Sequence, residues 1–214
     1  MSYAAILFDL DGTLVDTVGL YERASLQALT SNGFTMSPKH FLQKYAAGEH
    51  LQDILGEYGK TESDVPMLRS TRDSLYEHLL ETEDVWFPGA EHLLTRAKDL
   101  APVAIVTGSW RSYIDALERR AHLSSYTSVI ITADDMGMGT VMKPHPHGLF
   151  LAADRLHVAP ERCIYIGDQL FDVEAAHRAG MHCCIVRGKY TPVEAANEAD
   201  FAVNSLKAVE MLLK

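Results

Sequence analysis

Short apolar runs alternate with helix-like segments after residue 86, and this alternation limits the possible folds more than any other feature of the chain. Four runs rich in β-branched residues are predicted strands, at residues 102–107, 128–131, 163–167 and 183–186. Apolar residues at helical spacing lie between them, as at residues 149–157 and 173–178. Such strand–helix–strand units cross over with a right hand and build a parallel sheet. The sequence therefore predicts an α/β fold, a Rossmann-like parallel sheet flanked by helices.

The segment between the first strand and this alternating region has a different sequence pattern. It contains helix-like stretches at residues 21–30, 41–47, 51–58 and 66–80 and no convincing strand pattern. An all-helical domain inserted into the α/β domain is the simplest account. We expect a core domain of residues 1–16 and 87–214 and an inserted helical domain of residues 17–86.

The first predicted strand runs directly into two carboxylates. Residues 4–8 are apolar, and Asp9, Asp11 and Gly12 follow within four positions. If the chain stays extended, Asp9 and Asp11 point to the same side, where like charges persist only with a cation or a proton between them. The alternative is an ordinary turn at a strand end, since Asp and Gly often build turns.

The ends of the later strands also carry polar residues. Thr107 and Gly108 follow the second strand, Lys143 lies in the loop after the third, and the fourth ends at Asp168, four residues before Asp172. Each of these residues also has an ordinary structural explanation, since Thr107 and Asp168 would serve as helix caps and Lys143 would be a solvated surface lysine. Ligands of an open α/β sheet collect at the carboxyl ends of its strands. Together these residues form a set that suits Mg²⁺ and a phosphoryl group.

The composition limits the classes of partner that the protein is expected to bind. The formal net charge of −10 argues against nucleic acid or an anionic membrane surface as a partner. Three cysteines at unsuitable spacing do not make a zinc cage and indicate a reduced protein. The chain has neither a cleavable signal segment nor an apolar run of membrane length, so we expect a cytoplasmic protein.

The four motifs in combination resemble those of the haloacid dehalogenase-like hydrolases. The resemblance is to the branch with a helical cap after the first motif, which includes phosphoglycolate phosphatases and β-phosphoglucomutases. It covers essentially the whole chain, with DLDGTLVD at 9–16, TGS at 107–109, KP at 143–144 and GDQLFD at 167–172. It implies that residues 17–86 are the cap and that the first strand lies between the strands carrying the second and fourth motifs.

The resemblance also implies roles for the acidic residues. Asp9 would be the nucleophile that becomes an aspartyl-phosphate, and Asp11 would be the general acid and base. Mg²⁺ would be held by Asp9, the backbone carbonyl of Asp11, and Asp168. Asp172 would support the metal site from behind these ligands. A proton-donating Asp11 favours phosphate esters over haloacids, because a halide leaves without a proton.

The remaining motif residues are assigned to the phosphoryl group in the same way. Thr107, Gly108 and Lys143 would bind its oxygens, where the charge of the transition state spreads. Gly12 and Thr13 would turn the chain so that backbone donors face the phosphate.

The cap is expected to close over the site and select the leaving group. A turn at Gly48, Glu49 and His50 matches the cap turn of the family, although it lacks the Ser-Arg pair of many mutase-like members. Glu49 and His50 would bind hydroxyls of a sugar or polyol, or alternatively form an exposed helix start.

The sequence thus predicts a Mg²⁺-dependent phosphatase of a small phosphate monoester, such as a sugar, polyol or glycolate-type phosphate. The alternative within the family is a β-phosphoglucomutase-like phosphosugar mutase, whose members usually carry Glu-Asp where this chain has Gly167 and Asp168. Outside the family, a phospho-receiver switch and a catalytically inactive binding module are the alternatives. We expect a small phosphorylated metabolite as partner, no nucleic acid, no membrane, and a monomer or weak homodimer.

Overall fold

Contacts divide the chain into two compact units in the computed structural model, which describes residues 3–46, 51–59, 64–137 and 141–214. One unit comprises Met1–Asp16 and Val85–Lys214 and contains the sheet. The other comprises Thr17–Asp84, and its described residues form helices and connecting turns.

The sheet has six strands, and every strand pairs in parallel with its neighbours. Their order across the sheet is β3-β2-β1-β4-β5-β6. Their bounds are β1 Ala5–Phe8, β2 Val103–Val106, β3 Ile130–Ile131, β4 Cys163–Gly167, β5 His182–Val186 and β6 Phe201–Val203. This confirms the predicted Rossmann-like parallel sheet, although β3 is only two residues long and β6 was not predicted.

The helical unit contains four helices among its described residues. They are α1 Val18–Ser31, α2 Pro38–Ala46, α3 Leu51–Gly56 and α4 Val65–Thr82. Helix α4 packs against α1 and α3, and α1 also packs against α2. A buried apolar cluster, which includes Leu29, Phe41, Leu55 and Leu68, gives this unit its own core.

Helices cover both faces of the sheet. They are α5 Ala90–Leu100, α6 Arg111–Ala121, α7 His147–Arg155, α8 Leu170–Arg178, α9 Val193–Glu198 and α10 Leu206–Leu212. Because side chains alternate along a strand, Ala5 and Leu7 join the cluster that contains residues of α7, α8 and α9. Helix α5 packs against β2 and against α10. None of the described helices is long and apolar enough to cross a membrane.

The strand order fixes where a site can form. From β1 the chain moves outward through β2 and β3, and then returns to place β4 on the other side of β1. The carboxyl ends of β1, β2 and β4 therefore meet where the order of the sheet reverses. Crevices at such reversals are the usual ligand sites of open α/β sheets.

The cysteines are structural. All three are free thiols buried in strands, at Cys163, Cys183 and Cys184. Burial raises the pKa of Cys163 to about 11 and that of Cys184 to about 12. Their thiols therefore stay protonated and act as small apolar groups.

Candidate active site

The loop after β1 closes on itself. The regular strand ends at Phe8, and Gly12 turns the chain at a φ of +86°, a conformation that favours glycine. The N–H of Gly12 donates to the Val15 carbonyl (2.8 Å), and that of Thr13 donates to the Leu10 carbonyl (3.3 Å). These two bonds hold the loop in its turn, and the presentation of backbone donors to a phosphate by this turn stays a prediction.

Asp9 lies at the centre of the site. Its backbone N–H donates to Ile166 of β4 (2.7 Å), which continues the pairing of β1 with β4 beyond the strand end. Its Oδ1 accepts from Lys143 Nζ at 2.5 Å, and its Oδ2 accepts from the Thr13 hydroxyl at 3.3 Å. Burial raises the pKa of Asp9 well above its ordinary value; Lys143 opposes this, whereas Asp172 raises it further.

Lys143 is enclosed by acceptors. Its side chain is 6% exposed, which excludes the surface-lysine alternative. Its Nζ donates to Asp9 Oδ1, to Asp172 Oδ1 at 2.7 Å and to the Tyr165 hydroxyl at 2.8 Å. Burial alone would lower the pKa of Lys143, but Asp172 and Asp9 raise it above its ordinary value. Lys143 is therefore a permanent cation beside Asp9.

Asp172 supports the other charged groups from inside the protein. Its side chain is fully buried. Its Oδ2 accepts the backbone N–H groups of Asp168 (3.2 Å) and Gln169 (3.0 Å), and its Oδ1 accepts Lys143. Gly167 leaves room for this carboxylate, because a Cβ there would lie 2.6 Å from the Asp172 carboxyl carbon. Both oxygens of Asp172 are thus already engaged.

Asp168 faces Asp9 across the Thr13 hydroxyl. Its Oδ1 lies 3.2 Å from the Thr13 hydroxyl, whose one proton it shares with Asp9 Oδ2, and its Oδ2 accepts from the Gln169 amide at 2.5 Å. Burial, and then Asp172, raise the pKa of Asp168 to about 7 despite these donors. A Cβ on Gly12 would lie 2.8 Å from Asp168 Oδ2, so glycine is needed here for space as well as for φ.

Asp11 has a different environment from Asp9. Its Oδ2 accepts from the hydroxyls of Thr107 and Ser109, each at 2.8 Å. The Thr107 hydroxyl also accepts the backbone N–H of Ser109 at 3.0 Å. A hydroxyl has one proton, so Thr107 must release Asp11 before it donates to a phosphoryl oxygen. Gly108 lies between these hydroxyls in sequence, and a Cβ there would lie 3.1 Å from the terminal methyl of Met142.

The acidic cluster fits a divalent cation. Oxygens of Asp9, Asp168 and Asp172 lie within 4.8 Å of one another, and all three residues are buried. Three carboxylates face one ammonium, so the ionised cluster has two negative charges in excess. Hard oxygen ligands and this excess suit a divalent metal. Because Asp172 already uses both of its oxygens, Asp9 and Asp168 are the side chains best placed to hold one.

Tyr165 and Gln169, like Ser109, belong to this site although the sequence assigns them no role. Tyr165 was placed in a strand without a role, yet its hydroxyl contacts Lys143. Gln169 links Asp168 to the carbonyl of Tyr190 at 3.3 Å, in the loop after β5. The only sequence signal for the role of Gln169 is that a polar residue directly follows Asp168. The cap residues Gly48, Glu49 and His50 lie outside the described residues.

Comparisons with known proteins agree on one family for this chain. The family model of haloacid dehalogenase-like hydrolases matches residues 6–186. A phosphoglycolate phosphatase of Photorhabdus laumondii is 30% identical over 187 residues, which cover 84% of this chain and 78% of the relative. The pyrophosphatase PpaX of Oceanobacillus iheyensis is 28% identical over 190 residues, covering 87% and 84%.

Solved structures agree with these relatives. CbbY of Rhodobacter sphaeroides, crystallised in complex with phosphate, is 26% identical and covers 95% of each chain, with a TM-score of 0.79. A variant of the same protein was crystallised with xylulose 1,5-bisphosphate.

Proposed function

As the chain belongs to the haloacid dehalogenase-like hydrolases and is a phosphatase, we propose that it hydrolyses a small phosphate monoester with the help of Mg²⁺. The family predicted from the four motifs is confirmed by the family model over residues 6–186 and by relatives named as phosphatases. The residue roles and the class of ester are our proposal.

One observation carries this proposal. Asp9 is buried where the strand order reverses, and its carboxylate lies against the Lys143 ammonium and near Asp168. Burial alone favours the neutral carboxyl of Asp9, whereas Lys143, and a divalent cation when bound, favour its ionised form. A desolvated anion next to a fixed cation is a suitable nucleophile for phosphorus.

The first step is attack by an Asp9 oxygen on phosphorus. The ester P–O bond breaks, and Asp11 gives its proton to the departing alkoxide. The Thr107 and Ser109 hydroxyls hold the Asp11 carboxyl group through Oδ2. The products of this step are the free alcohol and a phosphorylated Asp9.

The second step is hydrolysis of the aspartyl-phosphate. Asp11, now ionised, takes a proton from water, whose oxygen attacks phosphorus. The bond from phosphorus to Asp9 breaks, and inorganic phosphate leaves. Mg²⁺ held by Asp9, Asp168 and the backbone carbonyl of Asp11 would neutralise charge on the phosphoryl oxygens when bound. Asp172 keeps Asp168 in place through its backbone N–H.

Gly167 stands where mutase-like members usually carry the Glu of a Glu-Asp pair, and this departure favours hydrolysis over the mutase alternative. A Cβ at this position would lie 2.6 Å from the Asp172 carboxyl. The Glu-Asp pair of mutase-like members therefore cannot replace Gly167-Asp168 unless Asp172 moves. Because the Glu-Asp pair typical of mutase-like members is absent here, we propose water as the acceptor.

The substrate and the helical unit complete the proposal. The unit Thr17–Asp84 would act as the cap, and Gly48, Glu49 and His50 would select the leaving group. The relatives are named for phosphoglycolate and pyrophosphate, and CbbY was crystallised with a sugar bisphosphate. A small sugar, polyol or glycolate-type phosphate is the matching class. We further propose a cytoplasmic monomer or weak homodimer.

A panel of phosphate monoesters, assayed for released phosphate with and without Mg²⁺, tests the function. We expect turnover of at least one small ester that chelation abolishes and Mg²⁺ restores. Full activity after exhaustive chelation would contradict the metal role. For the mutase alternative, β-glucose 1-phosphate is supplied with catalytic glucose 1,6-bisphosphate. Stoichiometric glucose 6-phosphate without free phosphate would overturn hydrolysis.

A further inference from the structure

Tyr165 is a polar residue at the centre of an apolar strand. It lies in β4 opposite Leu7 of β1 and Cys183 of β5, and it is fully buried. Its ring packs in the apolar cluster on one face of the sheet. A buried tyrosine costs stability unless its hydroxyl finds a partner, and a phenylalanine would fill almost the same space. The hydroxyl therefore calls for an explanation.

The hydroxyl is anchored by the main chain. Its one proton has two acceptors in reach, the carbonyl of Val106, the last residue of β2, at 3.0 Å and Asp172 Oδ1 at 3.3 Å, and the contact with the carbonyl is the shorter. A phenol has a single proton, so this bond leaves its lone pairs to act as acceptors. Lys143 Nζ lies 2.8 Å from the oxygen. Tyr165 thus offers Lys143 an acceptor whose position is set by two neighbouring parts of the sheet.

The three protons of Lys143 match three acceptors. They are Asp9 Oδ1, Asp172 Oδ1 and the Tyr165 hydroxyl. Lys143 reaches this point on a long side chain from a loop, so two contacts would leave the ammonium free to rotate about them. The third contact fixes its position relative to Asp9.

We propose that Tyr165 is a positioning residue, whose hydroxyl holds the Lys143 ammonium against the nucleophile Asp9. The role of Asp9 as nucleophile rests on the proposed function, whereas the placement of Lys143 by Tyr165 does not. The competing explanation is that the hydroxyl merely completes the hydrogen bonding of the core.

Tyr165→Phe separates the two explanations, because it keeps the ring and removes only the hydroxyl. We expect kcat for the best ester of the panel to fall by about tenfold to a hundredfold, since small misplacements of reacting groups cost this much. In the Lys143→Met background the same substitution should change kcat less than twofold, as the group that it positions is gone. Equal losses in both backgrounds would overturn the proposal.

A matched control removes another buried hydroxyl that bonds to the same strand. Thr127 donates to the carbonyl of Val103, at the opposite end of β2, at 2.6 Å. Thr127→Val should lower the unfolding midpoint and leave kcat near the wild-type value. If Thr127→Val lowers kcat as much as Tyr165→Phe does, the effect is one of general stability and the proposal fails.

A second readout needs no turnover. An ammonium with three hydrogen bonds exchanges its protons slowly, so ¹H–¹⁵N spectra of lysine side chains should show a Lys143 signal that is absent in Lys143→Met, or in Lys143→Arg if that variant folds better. Tyr165→Phe should shift or broaden this signal, and Thr127→Val should not. A Lys143 signal missing from the wild type, or unchanged in Tyr165→Phe, would overturn the proposal. If no ester is hydrolysed by the wild type, the proposed function fails, and these spectra still decide the role of Tyr165.

Discussion

Replacing Gly167 by alanine tests whether the charged cluster depends on the space beside the end of β4. An alanine Cβ would lie 2.6 Å from the carboxyl carbon and Oδ2 of Asp172, closer than such atoms normally approach. Asp172 must then move away from the backbone N–H groups of Asp168 and Gln169 and from Lys143. One added methyl group thus disturbs three contacts.

The cost can be worked from these contacts. Overpacking costs about 2 kcal/mol, and weakening the three buried hydrogen bonds of Asp172 costs about 1 kcal/mol each. Replacing a glycine in a strand by alanine stabilises the protein by about 1 kcal/mol, because the unfolded chain has less backbone entropy. The free energy of unfolding should therefore fall by about 4 kcal/mol, which for a domain of this size lowers Tm by about 8–16 °C. Because Lys143 and Asp168 lose their support, kcat should fall on the order of a hundredfold.

Tryptophan fluorescence is a suitable assay for this change. The protein has two tryptophans, Trp86 and Trp110, and both lie in the unit that contains the sheet. Gly188→Ala is the matched control, since the nearest atom to a Cβ there is the Thr191 hydroxyl at 3.6 Å, an ordinary contact. It should leave stability within about 0.5 kcal/mol of the wild type. A Gly167→Ala protein with wild-type Tm and turnover would refute the reasoning.

Three further predictions concern pH, proton transfer and thiol reactivity. Partial burial alone would raise the pKa of Asp135, but hydrogen bonds from Thr132 and Arg155 lower it to about 2. A carboxyl whose pKa is lowered in the folded protein stabilises the fold at pH values above its pKa in the unfolded chain. Asp135→Asn should therefore lower the free energy of unfolding by about 1–2 kcal/mol at neutral pH. Urea titrations should show this difference disappearing as the pH falls from about 4 to about 2. Asp11→Asn should lower kcat on the order of 10²- to 10⁴-fold in steady-state assays while calorimetry still detects Mg²⁺ binding, because the metal contact that we propose for Asp11 is its backbone carbonyl; loss of both would contradict its role. The three buried cysteines should resist a disulfide reagent in the native protein and react in urea, and rapid labelling of the folded chain would contradict their burial.

Much of the sheet could be predicted from hydrophobic pattern alone. Five of the six strands lie within two residues of their predicted bounds, and the first of them ends directly before Asp9. Strand β6 at Phe201–Val203 was not predicted because its apolar run is only three residues long, and its side chains are only half-buried. Helix α5 at Ala90–Leu100 is amphipathic, but it was not predicted; only the turn at Pro88 and Gly89 before it was.

The site was predictable where chemistry is local and unpredictable where it depends on packing. Asp9, Asp168 and Lys143 stand at strand ends or in a rim loop, so topology alone indicates that they meet. Tyr165 stands inside an apolar run, and nothing in that run shows that its hydroxyl reaches Lys143. That contact depends on the register of β4 with its neighbours and on the path of the loop that carries Lys143.

Covalent capture of the intermediate tests the central claim most directly. The enzyme is mixed with its best ester and Mg²⁺, quenched during turnover, treated with borohydride and analysed by mass spectrometry of its peptides. Borohydride reduces an aspartyl-phosphate to homoserine, so our account predicts homoserine at position 9 in the wild type and none in Asp9→Asn. Homoserine at another aspartate, or steady turnover by Asp9→Asn, would contradict the assignment of Asp9 as the nucleophile.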